Sequence, residues 1–527
     1  MSSNDWMGPQ QMPGSELTPD LQIDRLGVPE LEQKSTLDRG ICLQAIYSRD
    51  SRFDGRFFAG TTSTGLYCRN ICPAPYTNPD NIRLFCSVLS AESAGFRPCK
   101  RCHPQAVPGV GAWLGTSAVV SRATRMILEG ALNGGSVEEL AARLGLGSRQ
   151  LRRLFVQHLG ASPLKIATAH RVNLARRLID GSGLPMTEIA FGSGFKSIRE
   201  FNHAIRLSMG RSPSELRRGV DGSQPKACPG GLELRLPYRK PFDWANLIAF
   251  LKPRAIPGVE LVSDDSYERT IEVGGVQGIL TVRPDGTRSQ LIIHLQTASY
   301  EGLAQTVERV RRIFDLSADP IQIASHLSSV LKLRMLIKQR PGLRVPGVWD
   351  GFEAAVLAVL GQGLTRSGPR RLVARFVQIF GTPVDTPIRG LTHLFPRSDV
   401  LAHADLSKAG ISHDCASTIR KLASSTIGRN LSFAASRTLQ QIVSEMGATC
   451  DIDESAANYI AMRAFGDPDA FPSNELDLRR GLSGSMPNCS CAEALAEAER
   501  WRPWRAYAAM HLAQSTQDQS SIRRCRK

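Results

Sequence analysis

The chain has 527 residues, enough for three or four domains at about 100–200 residues each. Its 65 Lys and Arg against 49 Asp and Glu give a net charge of +16, and 42% of its residues are hydrophobic, a level normal for a folded chain and too high for a disordered one. No run approaches the roughly 18 apolar residues of a membrane span, and Met1 to Asp20 lack the basic-then-apolar pattern of a secretion signal. Secreted and membrane proteins are thereby excluded. What remains is a basic cytoplasmic protein without membrane contact, with nucleic acid as the first partner to expect.

In chain order, residues 1–35 read as a flexible tail and 36–112 as a compact domain holding four spaced cysteines. Residues 113–220 read as helical and basic, with 16 Lys and Arg against 7 Asp and Glu between 117 and 218. A Pro/Gly-rich linker is expected at 221–230. Strand-like runs such as RTIEVGG and QGILTVRP predict an α+β unit over 231–335. Amphipathic helices follow over 336–515, and a basic tail over 516–527.

Twelve cysteines occur, and in a reducing compartment clustered cysteines point to metal or reactive sites rather than disulfides. Cys68-x3-Cys72 and Cys99-x2-Cys102, separated by 26 residues, can complete a tetrahedral zinc site of four thiolates. By spacing alone this is a structural staple. Its surroundings, RFDG-x-FF, TG-x-YCR and GFRPCKRC-x-P, closely resemble the amino-terminal domain of the Ada family over about 75 residues. The resemblance implies one zinc held by Cys68, Cys72, Cys99 and Cys102, with Cys68 taking a methyl group from a DNA methylphosphotriester. Four thiolates on one Zn²⁺ carry a formal charge of −2, and methylation removes one unit of it, so affinity for DNA should rise. Arg69, Lys100 and Arg101 flank the ligands, either as phosphate contacts or as a solvated rim. Where relatives carry C-P-A-R after the second ligand, Pro75 replaces the Arg.

SVEELAARLGLGSRQLRRLFVQHLGASP (136–163) reads as a helix-turn-helix, with Gly145 at the turn and Ser148, Arg149 and Gln150 opening the helix that reaches base edges. A second copy at 185–218 turns at Gly194 and presents Lys196, Ser197 and Arg199. Two copies joined by the helix PLKIATAHRVNLARRLI, with A-x-x-x-G-F-x-S ahead of the G-x-S-P signature, resemble the AraC-type DNA-binding domain. That implies double-stranded promoter DNA as the partner, bound by a monomer, with RNA polymerase as a further candidate.

From LPYRKPFDW (236–244) through VPGVWDGFEAAVLAVLGQ to RWRPWRAYAAMHL (500–512) the chain resembles the AlkA family of DNA glycosylases over about 280 residues. Such enzymes flip a damaged base, stack it between rings and use a carboxylate against the developing sugar cation. The implied fold class is multidomain: a small four-cysteine zinc α/β domain, an all-α AraC-type double helix-turn-helix, an α+β AlkA N-terminal-like domain and an all-α helix-hairpin-helix glycosylase-like domain.

Several working parts depart from the family pattern. The glycines of its phosphate-binding hairpin fall on Asp451 and Asp453, which should obstruct the turn and repel phosphate. An aromatic position becomes Ser455, an expected tryptophan becomes Ala513, and the wedge becomes Gly363. The catalytic aspartate falls on Glu475, one methylene longer, with Asp477 as a misalignment candidate. Between 441 and 500 there are 11 acidic and 4 basic residues. Tyr459 keeps an aromatic position, as pocket or as core, and Trp349, Trp501 and Trp504 read as core aromatics. These changes predict an impaired or repurposed glycosylase; the alternative is a fully active DNA-3-methyladenine glycosylase II using Glu475. No P-C-H-R motif is present, and Cys489 with Cys491 does not supply one.

Overall fold

The computed structural model describes residues 39–47, 57–70, 72, 78–85, 88–99, 101–102, 104, 118–218, 231–361, 368–428, 439–483 and 490–525. The expected amino-terminal tail, the linker, Pro75, Lys100, Gly363 and Cys489 lie outside the described residues, and the Asp477 side chain is likewise not described.

The amino-terminal module is a four-stranded sheet in the order Ile82–Phe85, Phe58–Thr61, Leu66–Arg69, Arg97–Pro98. The turn from Phe58–Thr61 to Leu66–Arg69 closes at Gly65 with φ 62°, a conformation in which a β-carbon is strained. Phe58, Tyr67, Phe85 and Phe96 form one small apolar cluster. The four cysteines Cys68, Cys72, Cys99 and Cys102 form another.

Two helix-turn-helix units follow. In the first, Val137–Arg143 is opened by a capping box between Ser136 and Glu139, the turn passes Gly145 at φ 71°, and Ser148–Leu159 is the second helix. In the second, Met186–Gly192 leads through Gly194 at φ 90° to Ile198–Met209, whose N-cap Ser197 accepts from the Glu200 N–H. The spacer helix Pro163–Gly181 joins them. Arg149, Gln150, Lys196, Ser197 and Arg199 are exposed at the starts of the second helices, and Ser148 is half-buried.

The α+β unit holds a five-stranded antiparallel sheet ordered Leu232–Pro237, Gln290–Thr297, Val276–Pro284, Tyr267–Val273, Glu260–Val262. Its strand Tyr267–Val273 reaches the helix Gly351–Gly361 through Arg269 and Glu353, and that helix is buried almost throughout and packs in turn on Glu454–Ala464 and His413–Ile427. The final helix runs Arg505–Cys525, through most of the stretch expected as a tail.

The two halves are joined by more than the expected linker. The first helix-turn-helix has its own core, whereas the second shares one with the α+β unit, from Leu178, Ile189 and Phe201 to Leu234, Leu295 and Leu303. Gly192 sits where a β-carbon would meet the Tyr300 carbonyl at 3.1 Å, so a side chain there would push the seam apart. Polar contacts continue it. Arg312 Nη1 meets Glu129 Oε1 at 2.8 Å, Arg125 donates to the Phe465 carbonyl, and His170 Nε2 lies 3.8 Å from Glu308.

Burial, aided by Arg311, Arg177 and Arg171, pulls the His170 imidazole down to about 3. A histidine depressed in the folded state binds its proton first when unfolded, so stability falls as pH drops below about 6.5. His170→Gln should therefore lose less melting temperature than the parent chain between pH 7 and pH 5. Parallel loss in both proteins, measured by calorimetry, would show that the seam does not bury this ring.

Candidate metal centre and base cavity

The sulfurs of Cys68, Cys72, Cys99 and Cys102 all lie within 4.8 Å of one another, and all four residues are buried. Cys72 and Cys99 Sγ are 3.9 Å apart, close to the ~3.8 Å edge of a tetrahedron with zinc–sulfur bonds of about 2.3 Å. Strand pairing sets this up. Cys68 pairs with Ala59 in the sheet, the Cys99 N–H donates to the Tyr67 carbonyl at 3.0 Å, and the Cys72 N–H donates to the Arg69 carbonyl at 3.0 Å. The Arg69 N–H donates to Cys102 Sγ at 3.4 Å.

A hydrogen bond to Cys102, burial and the neighbouring thiolates push the Cys68 thiol far up, while the same hydrogen bond draws Cys102 down to about 6. Four ionised sulfurs can coexist here only around a cation. The donor set fits zinc, and the four-cysteine cluster is a zinc site. Arg69 is half-buried, with Nη1 3.5 Å from the Cys102 carbonyl, and Arg101 is exposed.

A cavity of about 770 Å³ opens between the α+β unit and the helical domain. Tyr459 and Glu475, singled out from sequence, both line it, as does Trp349. Trp349 is buried as expected of a core ring, yet it also forms a wall. Trp501 and Trp504 are core, with Trp501 edge-on to Phe471.

Sequence reasoning missed Arg463. Its guanidinium donates to the Tyr459 hydroxyl at 2.7 Å and to the carbonyls of Pro346 and Gly347 at 2.5 and 3.1 Å. The signal available was its spacing of four from Tyr459, which places both on one helical face.

The hairpin between Leu439–Cys450 and Glu454–Ala464 does form, against expectation. Asp451 takes φ 57° itself, since a short polar side chain tolerates the left-handed region at about 1 kcal/mol, and Lys421 pairs with its carboxylate. Asp453 is the N-cap of the second helix and accepts from the Ala456 N–H at 2.9 Å. Ser455, at the lost aromatic position, accepts from the Asn474 N–H at 3.0 Å. It thus ties that helix to the loop carrying Glu475.

Residues 41–105 match the metal binding domain of Ada, 140–219 a helix-turn-helix domain and 233–350 the AlkA N-terminal domain. The probable bifunctional transcriptional activator/DNA repair enzyme AlkA of Mycobacterium tuberculosis is 37% identical over 475 residues, covering 89% of this chain and 95% of that one. The chain belongs to this Ada–AlkA fusion family. The DNA-3-methyladenine glycosylase 2 of Escherichia coli is 32% identical to the fusion over 280 residues, covering 53% of this chain and 95% of its own. A 3-methyladenine DNA glycosylase structure from Archaeoglobus fulgidus superposes with a TM-score of 0.47 at 19% identity, covering 54% of the fusion and 98% of itself. Among the described residues, no helix of the fusion is long and apolar enough to cross a membrane.

The fusion should purify with one zinc per chain. Cys99→Ser and Cys102→Ser should each lose it and lower the melting temperature of the amino-terminal module. Full zinc in both variants, by elemental analysis, would remove the four-cysteine assignment.

Proposed function

We propose that the chain is a cytoplasmic DNA alkylation-repair protein and transcriptional activator. Its sensor is Cys68. The Cys68 sulfur attacks the methyl carbon of a DNA methylphosphotriester; the sulfur–carbon bond forms, the carbon–oxygen bond breaks, and the electron pair leaves with the phosphate oxygen, restoring the diester anion. Bound zinc keeps the four sulfurs ionised and nucleophilic near neutral pH. Two features support Cys68 over its neighbours: it stands first in the motif, and Cys102 already accepts an N–H from Arg69, which dampens that sulfur.

Methylation takes one negative charge from a surface facing phosphates. At ~8 Å in water each phosphate then gains about 0.5 kcal/mol, so two or three phosphates give about five- to tenfold tighter binding. Arg69, Lys100 and Arg101 are the proposed phosphate contacts. Ser148, Arg149, Gln150, Lys196, Ser197 and Arg199 are the proposed reading residues. Two reading helices on one chain need no second copy, so the chain acts as a monomer, and contact with RNA polymerase would turn binding into activation. Methylated protein should bind duplexes selected by the reader five- to tenfold tighter, and Cys68→Ala should show no gain. An equal gain in the Ala variant would remove Cys68 as the sensor.

The observation that carries the second half of the reading is that Tyr459, Trp349 and Glu475 share one cavity. This supports an AlkA-type alkylbase glycosylase in which Glu475 faces the sugar and Tyr459 the base. The hairpin that should grip phosphate carries Asp451, Asp453 and Glu454, so the activity is weak rather than absent. Release of free 3-methyladenine from methylated DNA should be slow and should fall roughly a hundredfold in Glu475→Gln, as loss of a charge-stabilising group does. Asp451→Gly should speed it several-fold. Fast release unaffected by Asp451→Gly would establish a fully active enzyme, and no release at all would leave a sensor-activator without glycosylase chemistry.

A further inference from the structure

The floor of the cavity carries charge that excision at Glu475 does not use. Arg269, on the strand Tyr267–Val273, is 1% exposed. Its guanidinium donates to Glu260 Oε1 at 3.2 Å and to both oxygens of Glu353 at 3.1 and 3.2 Å. Both carboxylates line the cavity.

The two carboxylates differ in how far they are satisfied. Glu260 is filled: Oε1 also accepts from the Tyr267 hydroxyl at 2.6 Å, and Oε2 accepts from the Ile256 N–H at 3.1 Å. Glu353 is 8% exposed, and its two oxygens share a single donor nitrogen, Nη2 of Arg269. A carboxylate offers about four acceptor positions, and a buried one left short of donors is costly. The remaining acceptor positions are open to what enters the cavity, water or a bound base. Beside Glu353 the indole of Trp349 is fixed, with the guanidiniums of Arg269 and Arg309 each 4.9 Å from its ring.

We propose that Glu353 is a specificity-determining residue that accepts a hydrogen bond from the exocyclic amino group of a flipped purine held in the cavity. A base presenting a carbonyl at the same place would set oxygen against carboxylate and be disfavoured. The inference rests on the base-flipping reading of the cavity and adds which bases it takes. Burial pushes the Glu353 carboxyl up to about 7, with Arg269 opposing and Asp350 and Glu260 adding to the rise. The residue is therefore a pure acceptor only above neutral pH. Arg309 also interacts electrostatically with Glu353, and Tyr267 neighbours it through Arg269 and Glu260.

The test uses the full chain and uncleavable duplexes, each carrying 2′-fluoro-stabilised 3-deaza-3-methylpurine nucleotides in matched pairs: 6-amino against 6-oxo, and 2-amino against 2-hydrogen. In at least one pair the parent protein should bind the amino member about tenfold tighter, with the preference growing from pH 6 to pH 8. Glu353→Gln should reduce the ratio to below about threefold, since its amide presents a donor as well as an acceptor. Equal ratios in parent and variant would overturn the inference while leaving the base-flipping reading intact. No preference for either modified duplex over an unmodified one would overturn both. Should Glu353→Gln fail to fold, the pH trend of the parent decides, and a flat ratio from pH 6 to pH 8 would sink the proposal.

Discussion

The carboxy-terminal half is organised around one buried cation. Arg269 leaves the fourth strand of the sheet, meets Glu260 on the edge strand, and reaches Glu353, 84 residues further on, at the start of the central helix. A guanidinium with this little exposure is tolerable only if its donors are met, and here the Thr270 carbonyl takes Nε at 3.1 Å while the carboxylates take the rest. Removing one partner of such a cluster costs about 3–5 kcal/mol, because the others stay buried and unpaired. The sheet and the helical domain are thus held at one spacing, and that spacing is the cavity. Thr270 adds a bond from its hydroxyl to the His393 carbonyl at 2.6 Å, fixing the far side of the same strand.

A second constraint ties the reader to this body. Because the second helix-turn-helix completes its core on the α+β unit, separating the halves would expose apolar surface at about 25 cal/mol per Å². The chain at 219–230 is therefore not what sets their distance. Arg125, on the helix Ala118–Leu128 ahead of the first helix-turn-helix, donates to the Phe465 carbonyl. Phe465 is the C-cap of the helix that carries Tyr459 and Arg463, and a cation is favoured at that end of a helix. A reader residue thus stabilises the element that shapes the cavity wall.

Much of this was legible in sequence where the chemistry is local. Two cysteine pairs, two turn glycines ahead of basic helices, and Tyr459 and Glu475 in their surrounding motifs each declare themselves within a few residues. Arg269 with Glu353 does not, since a lone Arg in an alternating strand and a Glu in an apolar helix each read as ordinary until the fold joins them. Arg463 was hidden for a related reason: its hydrogen bonds run to carbonyls more than a hundred residues away. The hairpin shows the converse error. Glycine is not required for the turn: Asp451 reaches the left-handed region itself, so the substitution leaves the path of the loop intact and alters its charge, which Lys421 offsets in part.

That electrostatic change has to be weighed against the rest of the chain. Residues 441–500 carry an excess of seven acidic groups, while 117–218 carry an excess of nine basic ones. Free DNA is therefore drawn to the reader and not to the hairpin. A glycosylase that had to find its own substrate would suffer from this, since the phosphate contacts of such a hairpin supply affinity rather than chemistry. On a chain whose reader shares a core with the cavity domain, DNA held by the reader stays beside the cavity without a second encounter from solution, so far as the fixed geometry lets one duplex reach both. The hairpin then needs only to tolerate a strand delivered to it. The acidic loop and the basic reader are in this sense one arrangement: on the proposed reading the reader sets where on DNA the protein sits, and the cavity takes only a base within reach of that position.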